Sequence, residues 1–250
     1  MTALSINLNK IALLRNSRDT NFPDPLDFGK RCIELGCQGI TVHPRPDMRH
    51  IRPDDVYRLG DLVSRHEDIE YNIEGNPFAG GNGDYPGFVE LTLQQRPHQV
   101  TLVPDTDDQL TSDHGFDLNV SGEALAALVH RFQNEGIRVS LFMDPNPEQI
   151  GLAHEIGADR IELYTGPYAE AFLDQDECFS SVHKQFAEAT KYAQSLGLGV
   201  NAGHDLNLEN LKSFSTIPDI LEVSIGHAFT VDSLLMGIDR AINAYLDILN

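Results

Sequence analysis

A histidine and an arginine that alternate with prolines are the residues of this chain best suited to chemistry. The β-branched run at 40–42 ends abruptly at His43, and Pro44 and Pro46 flank Arg45. Proline fixes its own φ and favours extended conformations in the preceding residue, so the sequence predicts a stiff loop after a strand. A histidine that titrates near neutrality beside a guanidinium suits proton transfer on a phosphorylated substrate. In isolation, the same residues are equally typical of a solvated basic loop.

Similar polar residues recur where other predicted strands end, and the whole chain alternates strands with helices. Strands are predicted at 5–8, 40–43, 69–73, 99–103, 138–142, 160–164, 199–202 and 222–225. Between them we predict a polar loop at 9–18 and helices at 25–35, 53–64, 86–95, 121–135 (N-capped by Ser121), 147–156, 208–215 and 231–249. A further helix, which follows a long connection, is predicted to end at 196.

Eight strand–helix units in series predict parallel strands joined by helical crossovers. In 250 residues this pattern fits an α/β protein made of one (β/α)₈ TIM barrel, a single domain spanning residues 1–250. An open doubly wound sheet is the alternative. It has less support because no G-x-G-x-x-G follows the first strand and no G-x-x-x-x-G-K-[ST] occurs.

In such a barrel the active site lies at the carboxyl ends of the strands, where the polar residues of this chain would converge. Glu74 at a partly desolvated rim is expected to have a raised pKa, which suits a general base. Glu162 lies inside a strand, where a charge must be paired or functional. The predicted strand ends carry Asn7 and Asn9, His43 and Arg45, Glu74, Asp144, Glu162 and Thr165, Asn201 and His204, and Ser224, Gly226 and His227.

Three histidines with carboxylates also fit a zinc or iron site. No two of them show the i, i+2 or i, i+4 spacing typical of metal ligands, so no metal is predicted. The three cysteines also lack zinc-ligand spacing, and we interpret them as reduced structural thiols.

The charge balance limits the possible partners. With 18 Lys and Arg against 38 Asp and Glu, the net charge of −20 argues against nucleic acid or an anionic membrane. Residues 1–65 hold 10 basic and 8 acidic side chains, against 8 and 30 in the remainder, so the groups suited to anions are concentrated there. Without a long apolar run or a signal-peptide pattern, the chain is expected to be cytoplasmic.

Six segments together resemble one enzyme family over the whole chain. They are N-L-N-K-I-A-L-L-R-N-S-R at 7–18, G-I-T-V-H-P-R-P-D-M-R-H-I at 39–51, N-I-E-G at 72–75, I-E-L-Y-T-G at 161–166, N-A-G-H at 201–204 and I-G-H-A at 225–228. In these motifs the chain is similar to the pyridoxine 5′-phosphate synthases of vitamin B6 biosynthesis. The resemblance implies a (β/α)₈ barrel that assembles as a homo-octamer of paired subunits and uses no metal or organic cofactor.

The implied reaction condenses 1-deoxy-D-xylulose 5-phosphate with 3-amino-2-oxopropyl phosphate to give pyridoxine 5′-phosphate, phosphate and water. By position, the resemblance makes His43 and Glu74 the proton acceptors, His204 the proton donor and Glu162 a stabiliser of the transition state. Arg45, His50 and Thr111 would then bind the sugar phosphate, and Asn7, Arg18, Gly226 and His227 the aminoketone phosphate.

Two places depart from the family pattern. An Asp-His pair follows Asn7 in the best-known members, where this chain has Asn9 and Lys10, and Asp205 replaces a glycine after N-A-G-H. We expect all three residues to contact the substrate: Asn9 lies beside Lys10, Lys10 keeps a cationic group for phosphate or carbonyl contact, and Asp205 is expected to accept a hydrogen bond from the substrate amine. Two alternatives stay open: a different phosphosugar aldolase or isomerase on the same barrel, and a non-catalytic sugar-phosphate sensor. The long polar loop at 104–120 is a candidate lid.

Overall fold

The strands form a closed parallel barrel in a computed structural model that describes residues 2–106, 108–174 and 178–250. Their order is β1 to β8, with β8 returning to pair with β1 through Leu4 and Val223. This closure confirms the predicted barrel and excludes the open sheet, because β1 has a neighbour on both sides. The strands are β1 (Ala3–Asn7), β2 (Gly39–Val42), β3 (Glu70–Gly75), β4 (Gln99–Leu102), β5 (Arg138–Met143), β6 (Arg160–Tyr164), β7 (Gly199–Gly203) and β8 (Glu222–Ile225).

The helices surround the barrel, and none within the described residues is long and apolar enough to cross a membrane. They are α1 (Asn9–Asn16), α2 (Pro25–Glu34), α3 (Pro53–Val63), α4 (Phe88–Gln95), α5 (Leu118–Asn134), α6 (Pro147–Glu155), α7 (Gly166–Leu173), α8 (Phe179–Ser195), α9 (Leu211–Phe214), α10 (His227–Met236) and α11 (Ile238–Leu249).

The helices differ from the predictions in three main places. The predicted polar loop at 9–18 contains α1, which buries Ile11 and Ala12. Helix α5 begins three residues before Ser121, because the Asp117 side chain caps it by accepting from the backbone N–H of Asn119. The predicted helix at 231–249 is two helices, α10 and α11, separated at Gly237, whose φ of 87° breaks the helical conformation.

Successive residues of each strand point alternately toward the surrounding helices and into the barrel interior. Ile40 and Val42 of β2 belong to the hydrophobic core, whereas Thr41 between them is buried and polar. A row of polar residues crosses β6, β7 and β8, where Asn201 lies in register with both Glu162 and Glu222. Burial raises the pKa of Glu222 to about 7, so a carboxyl group that titrates near neutrality lies behind Glu162.

A buried ion pair holds the loop that follows β2. Arg15 and Asp55 are 1 % and 3 % exposed, and two guanidinium nitrogens reach the carboxylate at 2.5 and 2.8 Å. Arg15 also donates to the carbonyl of His50 (3.1 Å), and the Asn16 amide donates to the same carbonyl (2.8 Å). Asp55 accepts from the backbone N–H of Arg52 (2.9 Å) at the start of α3. The pair therefore ties α1 and α3 to the loop between His43 and Arg52.

We predict that Arg15→Met lowers the free energy of unfolding by about 3–5 kcal/mol, because Asp55 would be left as a buried, uncompensated charge. Urea denaturation followed by circular dichroism measures this change. The control is Arg31→Met, which breaks an ion pair with Asp239 whose partners are 44 % and 54 % exposed and should cost far less than loss of the buried pair. Equal effects of the two substitutions would contradict the role given to the buried pair.

Candidate active site

A cavity of about 370 Å³ opens at the carboxyl ends of the strands, as the barrel predicts. Nearly all the residues proposed for the site line it: Asn7, Asn9, Lys10, His43, Arg45, His50, Glu74, Thr111, Glu162, His204, Asp205, Gly226 and His227. Arg18 is the exception, because it lies on the exposed turn after α1 and is not part of the cavity wall. Asp144 also ends a strand without lining the cavity, and Thr165 is buried behind it.

His43 lies between two carboxyl groups at the base of the cavity. Its Nδ1 is 3.8 Å from Glu74 Oε2, and its Nε2 is 3.3 Å from Asp105 Oδ2. The side chain of Asn9 accepts from the backbone N–H of His43 (2.9 Å), and the Asn7 amide donates to Glu74 (3.3 Å). The hydrogen bond to Asn9 thus fixes the backbone of His43, and its imidazole lies beside both carboxyl groups.

Sequence analysis missed Asp105 as a member of this cluster. The Asp105 carboxylate forms an ion pair with Arg45, and both side chains are 6 % exposed. Burial raises the pKa of Asp105, and the guanidinium opposes that rise. The available signal was its position after Pro104 at the end of β4, the same place that identified polar residues on the other strands.

Burial controls the protonation of the central pair. It lowers the pKa of His43 to about 3, assisted by repulsion from Arg45 and Arg49, which is well below the near-neutral value expected from sequence. Burial also raises the pKa of Glu74 well above its usual range, and the charge of Glu162 adds to this rise. Burial therefore favours the neutral imidazole of His43 beside the protonated form of Glu74.

Glu162 projects from β6 under the same cavity. Burial and the nearby Glu222 raise its pKa to about 8. Its Oε2 is buried and has no hydrogen-bond partner within the described residues. Gly203 permits this placement, because a Cβ there would come within 2.3 Å of Glu162 Oε1.

The cavity rim carries groups suited to anions. The Nδ1 atom of His50 accepts from the N–H of Ile51 (2.9 Å), which leaves the proton on Nε2 for an outside acceptor. Burial lowers the pKa of His50 to about 2, so it would bind an anion as a neutral donor. Lys10, Arg45 and Arg49 supply the positive charge around it.

The helix that follows β8 contributes backbone donors to the rim. Helix α10 starts at His227, four residues earlier than predicted, so its first turn follows Gly226 directly and lines the cavity. Free N–H groups at a helix start favour phosphate or another anion. A Cβ at Gly226 would meet the Asn7 side chain at 3.0 Å, which accounts for the glycine between β8 and the helix.

The candidate lid contacts residues of the site. Arg45 and Arg49 donate to the carbonyl of Gln109 at 3.2 and 2.9 Å, and the Thr111 hydroxyl lies 2.9 Å from His204 Nε2. Residue 107 of the loop lies outside the described residues. Across residues 2–106, 108–174 and 178–250, no three His, Cys, Asp or Glu side chains form a group that could hold a metal ion.

Comparison with known proteins places the chain in a family. The model of the family described as "Pyridoxal phosphate biosynthesis protein PdxJ" matches residues 4–250. The chain is 53% identical over 249 residues to pyridoxine 5′-phosphate synthase of Xanthomonas campestris pv. campestris (strain B100), covering 99% of this chain and 96% of that protein. It is 52% identical over 250 residues to the synthase of Xylella fastidiosa (strain M23), covering 100% and 95%.

Solved structures support the barrel itself. The tryptophan synthase alpha chain from Legionella pneumophila subsp. pneumophila superposes with a TM-score of 0.64 at 11% identity, covering 100% of this chain and 91% of that chain. At that identity the likeness concerns the fold alone. The full-length family match and the close relatives establish the relationship: this chain belongs to the PdxJ family of pyridoxal phosphate biosynthesis proteins.

Proposed function

We propose that this protein is a pyridoxine 5′-phosphate synthase, which condenses 1-deoxy-D-xylulose 5-phosphate with 3-amino-2-oxopropyl phosphate. The observation that carries the proposal is the buried His43–Glu74 pair, in a cavity with a cationic rim, in a chain 53% identical to a pyridoxine 5′-phosphate synthase. The products are pyridoxine 5′-phosphate, inorganic phosphate and water.

The cavity suits small phosphorylated substrates by charge and by size. Its volume of about 370 Å³ is within the range of small-molecule sites. Lys10, Arg45 and Arg49 line it in a protein whose net charge is −20, so positive groups are concentrated where anions must bind. We assign the sugar phosphate to Arg45, His50 and Thr111, and the aminoketone phosphate to Asn7, Gly226 and His227. A phosphate must compete with Asp105 for Arg45.

The chemistry requires a series of proton transfers. An amine that attacks a ketone must lose protons, and the carbinolamine oxygen must gain one before it leaves as water. His43 is neutral, but its lowered pKa makes it a weak base until the negative charge of a bound phosphate raises that pKa. Glu74 becomes an acceptor only after losing its own proton. The ammonium group of a bound substrate would favour this loss, because a nearby positive charge lowers the pKa of a carboxyl group.

The remaining roles follow the same geometry. His204 contacts the cavity loop through Thr111 and is the proposed proton donor. Glu162 is the proposed stabiliser of positive charge in the transition state, a role that requires its ionised form, and its Oε2 has no hydrogen-bond partner within the described residues. The homo-octamer and a role for Arg18 remain predictions of the resemblance, and the cytoplasmic location remains a prediction from the sequence.

The first test mixes the purified, chelator-treated protein with both phosphorylated substrates. We expect pyridoxine 5′-phosphate, followed by its absorbance and fluorescence, and a loss of at least about 100-fold in kcat for Glu74→Gln because a general acid–base group is removed. Glu67→Gln is the matched control. It makes the same Glu-to-Gln exchange at an exposed position before β3 and should keep wild-type activity.

Other results of this assay identify the alternatives. Activity that disappears with the chelator and returns with a divalent metal would favour a metal-dependent aldolase or isomerase. Binding of 1-deoxy-D-xylulose 5-phosphate without any turnover would favour a non-catalytic sensor. Folded protein that neither binds nor converts the substrates would contradict the proposal.

The pH dependence of kcat/KM tests the assignment of Glu74 as a base. Its raised pKa means that the ionised form, which accepts protons, increases as the pH rises, so we expect kcat/KM to ascend along a limb that lies above the usual carboxyl range. Glu162→Gln should shift that limb to lower pH, because it removes a negative charge that raises the pKa of Glu74. Glu67→Gln should leave the limb in place. A limb that stays in place or moves to higher pH in Glu162→Gln would contradict the assignment.

A further inference from the structure

The turn that follows β7 holds two consecutive residues in an unusual backbone conformation. His204 has a φ of 83° and Asp205 a φ of 59°, a region that residues with a Cβ enter at a cost. Aspartate tolerates this region better than most residues, and glycine tolerates it best. Such strain persists only where the surrounding contacts define the conformation, and it is concentrated at functional sites.

Several contacts hold this turn from both sides. The Thr165 hydroxyl donates to the carbonyl of Gly203 (2.7 Å) and also contacts that of His204. The Asn210 amide donates to the carbonyl of Asp205 (3.0 Å). The backbone is therefore fixed by residues outside the turn, so the Asp205 side chain is not needed to maintain it.

The Asp205 side chain instead contacts the neighbouring imidazole. Its Oδ2 lies 2.8 Å from His204 Nδ1, while the Thr111 hydroxyl lies 2.9 Å from Nε2 on the other side of the ring. The ring of Tyr164 packs edge-on against the same imidazole at 5.2 Å between centroids. The imidazole thus has a carboxylate on one nitrogen and a cavity-lining hydroxyl on the other.

Charges around Asp205 keep its carboxylate ionised. The hydrogen bond with His204 lowers the pKa of Asp205, and the positive charges of His204, His227 and Lys10 act in the same direction. These groups come from the turn itself, from α10 and from α1. An ionised carboxylate can only accept a hydrogen bond, so the proton between the two side chains belongs to Nδ1 of His204.

We propose that Asp205 is a positioning residue for His204: it holds the proton on Nδ1 and directs Nε2 toward Thr111 and the substrate cavity. This inference rests on the proposed function, in which His204 is the proton donor. The carboxylate also offsets the positive charge of the imidazolium that carries the proton to be donated. It replaces the sequence expectation that Asp205 binds the substrate amine.

Two substitutions separate the side chain from the backbone. Asp205→Gly removes the carboxylate and suits the positive φ, so this variant should fold. Asp205→Asn also tolerates the conformation and keeps an oxygen that can accept from Nδ1. Glu170→Gln is the control, because it removes a charge from the exposed surface of α7. Glu170 lines the same neighbouring cleft as Asp205.

Nitrogen-15 NMR of histidine-labelled protein reads the proton position directly, with His204→Gln used to assign the signal. We expect the proton on Nδ1 in wild type, in Glu170→Gln and in Asp205→Asn, and loss of that preference in Asp205→Gly. An unchanged His204 signal in Asp205→Gly would overturn the proposal. This measurement needs no turnover, so it decides the positioning role even if the proposed reaction fails.

Steady-state kinetics then distinguishes positioning from substrate binding. In Asp205→Gly we expect kcat to fall about tenfold with KM for both substrates within about twofold of wild type, as is typical when the partner of a functional imidazole is lost. Asp205→Asn should recover part of kcat. A rise in KM for 3-amino-2-oxopropyl phosphate at unchanged kcat would overturn the proposal in favour of amine binding. Absence of product from wild type would count against the proposed function alone.

Discussion

Closure of the parallel barrel is the constraint on which the rest of this structure depends. Because β8 pairs with β1, the carboxyl ends of all eight strands surround one axis, and side chains distant in sequence share a cavity. Glu74 and Glu162 come from β3 and β6, and His43 and His204 follow β2 and β7. The same closure removes water from these groups, so burial is the largest cause of the pKa shifts of His43, Glu74 and Glu162.

Desolvation gives the central residues protonation states that their types alone would not indicate. A histidine in water is partly charged near neutrality and a glutamate is ionised, whereas the buried pair prefers two neutral groups. Neutral groups are cheaper to bury, and they are ready to exchange protons once a charged substrate enters. The Arg15–Asp55 pair shows the other way to bury charge, by complete mutual compensation, and it serves structure by fixing the loop after β2.

The sequence predicts the barrel and most of the cavity because both depend on local patterns. Short apolar runs that end in polar residues identify strands and their functional ends, and this rule identified His43, Glu74 and Glu162. The rule also applied to Asp105, but its place after a proline was interpreted only as the end of a strand. The pKa of His43 could not be predicted, because it depends on burial by residues from other strands.

The helix starts show a similar limit. Helix α1 has a short, partly polar sequence, and it forms where Ile11, Ala12 and Arg15 are buried by other parts of the chain. The departures from the family pattern also gained a physical meaning only from contacts. Asn9 fixes the backbone of His43, and Asp205 contacts His204, whereas sequence comparison assigned both to the substrate.

The central claim is that burial in the closed barrel keeps Glu74 protonated beside a neutral His43. Infrared difference spectroscopy of protein with carbon-13-labelled glutamate side chains, comparing wild type with Glu74→Gln at neutral pH without ligand, tests it directly. The account predicts a protonated-carboxyl band in wild type that is missing from Glu74→Gln. Identical spectra in that region, with the difference confined to the carboxylate bands, would contradict it.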